Sequence, residues 1–401
     1  MWLFFVVFLV IWGGAHAYLA WSLGSSLHPR RKRVVWFGFT AHFVLGMVGL
    51  LMRNFPNFEP VYSAIKWIHY IGMGAFMLLF SVVLVKDLGW LLFRGAEKAL
   101  GNDQDLVDES RRDFFKTSLN LGAASVTAVG TTWGFYQARR LPDVVDVTVP
   151  VADLPPELEG FRIVQLSDMH VGPTIRRPLV EHVVERVNEL DADMVAITGD
   201  LIEGKVSHIW HDLEPIVDLK SRHGTYYCTG NHEYYWEAKP WCEALEKHGI
   251  NVLNNAHRLI EHDGGRLLVA GCTDITAGQF EPDHTSDPAK AKEGAPDHDF
   301  SVILAHQPGS IHAAAEAEFG LQLSGHTHGG QFWPGNLLVG FFHPYAVGLH
   351  REDKTWIYIS RGTGYWGPPM RLKAPSEITR VTLMRGGAER AEVIRHDKKE
   401  V

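Results

Sequence analysis

Three apolar runs of membrane-spanning length crowd the first hundred residues, and few folds absorb three of them in one soluble core. Met1–Leu23, Val34–Met52 and Ala64–Val85 are each about 20 residues long, the length a helix needs to cross a bilayer. A fourth, weaker stretch, Thr117–Trp133, is rich in Ala, Gly, Thr and Val. Any one run alone reads equally well as a buried core helix or a signal peptide. Together they predict an all-α membrane region over residues 1–136 with spans at 1–23, 34–52, 64–85 and 117–133.

Basic residues in short loops mark the cytoplasmic side of a membrane protein. Arg30, Arg31, Lys32 and Arg33 follow the first run, and Lys86, Arg94, Lys98, Arg111, Arg112 and Lys116 follow the third. The loop between them holds little beyond Arg53 and Lys66. This asymmetry predicts a multi-pass inner-membrane protein whose residues after Trp133 lie outside the cytoplasm. Ser110–Lys116 looks like a twin-arginine export signal, and equally like a basic helix flank; both send the following domain outward. No small-x-small cleavage site follows Trp133, so the helix is expected to remain as an anchor. Outside the cytoplasm conditions are oxidising, yet Cys228, Cys242 and Cys272 are odd in number. Buried thiols are expected in preference to a Cys228–Cys242 bridge.

Residues 137–401 read differently, as an α/β domain. Arg162–Ser167, Met194–Thr198, Thr225–Thr229, Leu267–Ala270, Phe300–Ala305 and Leu321–Ser324 are short apolar strands. Pro178–Leu190 is an amphipathic helix, a second helical stretch covers Trp236–His248, and Thr276–Asp299 is expected to be a polar surface loop. The chain carries 46 Asp and Glu against 38 Lys and Arg, a net charge of −8 that argues against nucleic acid as a stable partner.

Five of these strands end in residues that bind cations. Asp168 and His170 follow the first, Asp200 the second, and Asn231, His232 and Glu233 the third. His306 follows Phe300–Ala305, and His326 and His328 follow Leu321–Ser324. Carboxyl ends of strands are the edge at which open α/β sheets build their sites. Carboxylate and amide oxygens suit hard divalent ions, and borderline ions such as Mn, Fe or Zn accept imidazole as well. A single carboxylate bridges two ions about 3.5–4 Å apart, the separation that suits in-line displacement at phosphorus. Each motif alone is weak; five in order point to two divalent metal ions.

With these motifs in place, the chain resembles the calcineurin-like metallophosphoesterase superfamily. It looks most like a membrane-associated bacterial branch with G-H-T-H-G-G-Q at Gly325–Gln331 and S-R-G-x-G at Ser360–Gly364. The resemblance covers about Arg162–Thr382 and implies a four-layer α-β-β-α sandwich. It implies one ion on Asp168, His170, Asp200 and His328, and a second on Asp200, Asn231, His306 and His326, with Asp200 bridging. His232 would lie near the scissile phosphate as proton donor to the leaving oxygen or as a stabiliser of charge, oriented by Glu233. Where many members have an acidic residue three positions after the bridging Asp, this chain has Glu203, which would supply an equivalent acceptor behind the ligands. The activity implied is hydrolysis of a phosphomonoester, phosphodiester or pyrophosphate bond by hydroxide that two cations make available near neutral pH.

Other residues carry less. Gly329 and Gly330 admit close approach of a phosphate or simply make turns. Arg361 is a candidate phosphate clamp, with an ordinary salt bridge the stronger expectation. Asp274 is a candidate substrate contact, with a turn cap the stronger expectation. The aromatic clusters Phe332-Trp333-Pro334 and Phe341-Phe342-His343-Pro344-Tyr345 suit a membrane-facing patch or a plain core. A membrane tether with such loops favours a phosphorylated or pyrophosphate-linked lipid as substrate. A soluble nucleotide or phosphodiester is the enzymatic rival, and a non-catalytic metal-binding sensor or a transporter are the others. The transporter reading would rest on His16, His42 and His69, which are expected to be isolated interfacial histidines.

Overall fold

The computed structural model describes residues 2–52, 59–99 and 109–396. The chain divides into two compact units: Met1–Tyr136 with Gly367–Met370, and Gln137–Trp366 with Arg371–Val401.

Helices α1 (Trp2–Gly24), α2 (Pro29–Met52), α3 (Glu59–Ala99) and α4 (Glu109–Arg139) make up the N-terminal region. Among the described residues two stretches, Val6–Gly24 and Val61–Ala96, are long and apolar enough to cross a membrane. The other two helices open on charged turns, with Arg30, Arg31, Lys32 and Arg33 inside α2 and Ser110–Lys116 inside α4. At 1.5 Å per residue the 41 residues of α3 extend about 60 Å, roughly twice a hydrocarbon core. Lys86, Arg94 and Lys98, expected in a loop, therefore lie on its helical continuation. No proline interrupts α3 after Pro60, and polar residues alone do not end a helix. Arg53 lies outside the described residues, as do the side chains of Arg111 and Arg112.

His16, His42 and His69 are not isolated. They converge from α1, α2 and α3: Nδ1 of His16 donates to Trp12 O at 2.8 Å, and its Nε2 stands 3.0 Å from Nδ1 of His42. The rings of His42 and His69 stack with centroids 5.4 Å apart. Glycine on the facing helices makes the room. A Cβ on Gly46 would lie 2.7 Å from His69 Cε1, and one on Gly72 would lie 2.8 Å from His42 Nε2.

In the second unit β1 (Asp143–Val151) and β2 (Arg162–Leu166) lead to α5 (Arg177–Asn188), β3 (Met194–Thr198), α6 (Val206–Leu213) and β4 (Thr225–Cys228). Next come α7 (Asn231–Tyr235), α8 (Ala238–Lys247), the short β5 (Asn251–Val252) and a hairpin of β6 (Ala256–His262) and β7 (Gly265–Gly271). These are followed by α9 (Pro288–Lys292), β8 (Phe300–Leu304), α10 (Ile311–Glu316), β9 (Leu321–Ser324) and α11 (Gly335–Leu338). The last strands are β10 (Gly348–Glu352), β11 (Thr355–Ile359), β12 (Glu377–Arg385) and β13 (Glu392–His396).

Two sheets result, ordered β13-β1-β12-β2-β3-β4-β5 and β10-β11-β9-β8-β7-β6. Side-chain alternation sorts their residues into layers. On β3, Met194 and Ala196 face the space between the sheets, while Val195 and Ile197 face helices α5, α6 and α8. On β8, Val302 and Leu304 point to the same inter-sheet core, and Ile303 points outward to α9 and α10. The stripe Val180, Val183, Val184 and Val187 of α5 is buried against the first sheet. The order is helix, sheet, sheet, helix. The Thr276–Asp299 segment is not a bare loop: it forms two single turns and α9, with Ala291 fully buried. Pieces of three to five residues are too short to show a period in sequence. The three cysteines are free and buried.

Candidate metal centre

Strands β2, β3 and β4 are parallel neighbours, as are β7, β8 and β9, so their carboxyl ends share one edge of each sheet. The chain must leave those ends in sharp turns. Asp168, His170, Asp200, His326 and His328 all have left-handed backbone, with φ of 53°, 50°, 50°, 70° and 50°. Non-glycine residues held there cost of order 1–3 kcal/mol each and are retained where the surroundings over-determine them. The turns are indeed knitted together: Asp168 N donates to Gly199 O, His170 N to Asp200 O, and Gly325 N to His306 O. Both oxygens of Asp168 accept the amide of His326 at 3.0 Å, and Asp200 Oδ1 accepts the amide of His232 at 2.8 Å.

The side chains converge around Asp200. Its Oδ2 lies 3.1 Å from His306 Nε2, 3.9 Å from His170 Nε2 and 3.9 Å from His232 Nε2. On one side His170 Nε2 and His328 Nε2 face each other at 3.1 Å, with Asp168 Oδ1 3.4 Å from His328 Nε2. On the other, His306 Nε2 and His326 Nδ1 are 3.3 Å apart. Ligand atoms of Asp168, His170 and His328 all lie within 4.8 Å of one another, as do those of Asp200, His306 and His326. Asn231 Oδ1 is buried and has no hydrogen-bond partner among the described residues. Paired imidazole nitrogens, buried carboxylates and an orphaned amide oxygen are a donor set that fits two divalent cations of the Mn, Fe or Zn kind.

Partners behind the ligands fix which nitrogen faces inward. His306 Nδ1 donates to Thr198 O at 2.7 Å, and His170 Nδ1 donates to Glu203 Oε1 at 2.9 Å. Glu203 serves twice, since the same oxygen is 2.6 Å from His232 Nδ1 in a bent ion-pair contact. Its other oxygen accepts the Trp236 indole N–H at 3.1 Å. Glu233 behaves otherwise than expected. Its carboxylate accepts the amides of Gly230, Leu201 and Asp200 at 2.6, 2.8 and 3.1 Å, so it braces the turn that carries Asp200 rather than orienting His232.

Charges divide the site in the metal-free chain. Although burial opposes it, the Asp200 and Glu203 carboxylates push the His232 imidazole up to about 9. Burial is likewise outweighed at Glu203, where His232 and His170 hold the carboxyl down to about 2. Burial together with the neighbouring His306 pushes His326 down to about 3. His328 is driven well below the usual imidazole range by burial and then by the Arg371 guanidinium.

Arg371 is fully buried and was missed in sequence, where a lone Arg after Pro368-Pro369-Met370 carries no spacing signal. Arg361 instead forms a salt bridge with Glu377 at 3.0 Å. The glycines have packing reasons: a Cβ at Gly330 would stand 2.3 Å from the Asn336 amide, and one at Gly329 would stand 3.2 Å from Arg361 Cγ. Asp274 caps its own turn, accepting Thr276 N at 2.8 Å and the Gln307 amide at 3.0 Å. Phe332 is buried, whereas Phe341 and Phe342 are 82% and 78% exposed. Tyr235 and Trp366 stand edge-on to His232, with ring centroids 5.0 and 5.7 Å away.

A buried double cluster of this kind, joined at one carboxylate on the carboxyl edge of a two-sheet sandwich, defines the class of two-cation phosphoester hydrolases. The family model for calcineurin-like phosphoesterases matches residues 161–330. A zebrafish (Danio rerio) transmembrane protein with metallophosphoesterase domain is 37% identical over 83% of this chain and 76% of its own length. An uncharacterized metallophosphoesterase of Helicobacter pylori is 38% identical over 69% of this chain and 73% of its own length. One of Campylobacter jejuni is 35% identical over 95% of this chain and 98% of its own. The chain belongs to the calcineurin-like metallophosphoesterase family. It is a phosphoester hydrolase associated with a membrane, and its substrates are phosphorylated molecules.

Proposed function

We propose that this chain hydrolyses a phosphorylated or pyrophosphate-linked lipid at a two-ion centre held outside the cytoplasm by a multi-pass anchor of four helices. The observation that carries the reading is a chain of three groups, Asp168–His170–His328, His170–Asp200–His232 and Asp200–His306–His326, in which Asp200 links the two ends. Asp168, His170, Asp200 and His328 would hold one ion, and Asp200, Asn231, His306 and His326 the other. When bound, such ions supply Lewis-acid activation of water and neutralise charge on the phosphoryl oxygens. Asp200 sets their common position, and Glu233 holds its turn through three amides. His232, beside Asp200 Oδ2 and Glu203 Oε1, stands where it can hand a proton to the leaving oxygen. Exposed Phe341 and Phe342 follow the His326–His328 turn in sequence, and His343 packs against the His326 ring at 5.2 Å. An exposed aromatic pair adjoining His343 in sequence supports a lipid substrate. The basic segment at Ser110–Lys116 supports outward export of the domain, as a signal or as an anchor flank.

A second reading has its own observation. The exposed rings of Tyr235 and Trp366 beside His232 suit the flat base of a nucleotide. The two separate in one assay: full-length protein with Mn²⁺, tested in parallel on lipid phosphates in vesicles and on soluble nucleotides. Preference for the lipid, abolished in Asp200→Asn, supports the first reading; equal or better turnover of nucleotides overturns it.

A further inference from the structure

Arg371 is the one arginine in the second unit that is 1% exposed and has no carboxylate within ion-pair distance among the described residues. Its donors go elsewhere. Nε donates to Gly364 O at 3.0 Å and Nη1 to Ala374 O at 2.8 Å, with longer contacts of 3.4 Å from Nη1 to His328 O and from Nη2 to Gly362 O. Nη2 also reaches Gly364 O and stands 3.0 Å from Nδ1 of His328. The loop it grips backs directly onto Asp168 of the same cluster, because Gly364 N donates to Asp168 O and Thr363 N to Ser167 O. Space there is fully used: a Cβ on Gly362 would lie 2.9 Å from Asp168 Cβ and 3.1 Å from His328 Nδ1.

We infer that Arg371 is the positioning residue for one ion of the pair, the one on Asp168, His170 and His328; this rests on the two-ion reading above. Burying a guanidinium without a carboxylate is costly, and an apolar side chain would fill the same space at lower cost. What only Arg supplies is a planar fork of five donors in fixed geometry. That fork ties the carbonyls of Gly364, Gly362 and Ala374, behind Asp168, to the carbonyl of His328, and so fixes the turn from which Nε2 of His328 faces Asp168 Oδ1 and His170 Nε2. None of its bonds reaches His306, His326 or Asn231, which would hold the second ion. The role is therefore selective. Groups behind metal ligands typically contribute ten- to hundredfold to metal affinity.

The test uses full-length protein, stripped by chelation and titrated with Mn²⁺ by calorimetry, with bound metal counted by mass spectrometry. Wild type, Arg371→Met and Arg371→Lys are compared with Arg380→Met, which breaks the Asp146 pair on β12 and serves as a destabilised control. Two ions are expected in wild type and in Arg380→Met. Both Arg371 variants should bind one ion normally and the other ten- to hundredfold more weakly, while thermal unfolding stays cooperative. Lysine should not restore the weakened site on Asp168, His170 and His328, since it keeps the charge but loses the fork. Should Arg371→Met fail to fold, Arg371→Gln carries the same measurement. Two wild-type affinities in a folded variant, or equal weakening of both, overturns the inference alone. A wild type that takes up fewer than two ions overturns the two-ion reading, and this inference falls with it.

Discussion

Replacing Glu203 with Gln removes one charge while keeping the side chain's shape, and the consequences divide cleanly between metal and proton. Glu203 accepts the His170 ring N–H at 2.9 Å and lies 2.6 Å from the His232 ring. Its carboxyl is held at about 2 against an ordinary 4.5, with burial opposing and His232 then His170 prevailing. At 1.36 kcal/mol per unit this is about 3 kcal/mol of interaction in the metal-free protein. A depressed carboxyl stabilises the fold above its unfolded value near 4.5 and loses that contribution as pH falls toward 2. Wild type and Glu203→Gln should therefore differ in stability at pH 7 and converge in acid. With metal present, affinity for the ion on His170 should fall ten- to hundredfold, about 1.4–2.7 kcal/mol. His232 must carry its proton to act as an acid, so activity falls as pH rises through its pKa, which the Asp200 and Glu203 carboxylates raise against the opposing effect of burial. In the variant that fall should move to lower pH. General acid catalysis contributes about 10²–10⁴-fold, so turnover of a poor alkoxide leaving group should drop at least tenfold, and that of an activated aryl ester far less. Unchanged Mn²⁺ affinity, alkaline limb and leaving-group dependence, measured together, would refute the reasoning.

Glu377→Gln leaves Arg361 and Arg395 facing a neutral buried side chain and should cost about 3–5 kcal/mol by denaturant unfolding at pH 7. Burial opposes ionisation of Glu377, but the two guanidiniums hold its carboxyl below the usual range. The deficit should thus shrink as pH falls below about 4, and a deficit independent of pH contradicts the assignment. Gly362→Ala, at φ 82° and with its Cβ 2.9 Å from Asp168 Cβ, should destabilise by about 1–3 kcal/mol and weaken metal uptake together; wild-type melting and metal content would show the turn to be slack. Phe341→Asp with Phe342→Asp should lower kcat/KM on vesicle-borne lipid phosphate while hydrolysis of a soluble aryl diester stays within about twofold. Equal losses on both substrates would remove the apolar surface from substrate capture.

The metal-site reading was accessible in sequence because its chemistry sits at strand ends: short apolar runs followed by Asp-x-His, Gly-Asp, Gly-Asn-His-Glu and His-x-His are local patterns. Partners separated by hundreds of residues left no such trace. Strand β1 pairs in parallel with β12, Asp143 opposite Glu377, and nothing near either segment announces the other. Glu233 looked like a partner for its neighbour His232, but three nearby amides compete for its carboxylate and win. Glu203 looked like a substitute for a missing Asp and lies against two imidazoles. Arg371 had no pattern at all, since its significance is a matter of which carbonyls surround it. The three N-terminal histidines seemed unrelated because they stand on different helices, and only the glycines opposite them reveal the fit. Backbone strain at five site residues is likewise a property of the turns, not of the residue types.

The central claim is a pair of ions sharing one carboxylate, and metal counting on two variants of the intact protein addresses it directly. After loading with excess Mn²⁺ and removal of free metal, wild type should hold two ions per chain, Asp200→Asn should hold none tightly, and His328→Ala should keep one. Two ions retained by Asp200→Asn, or a wild type that saturates at one, would contradict it.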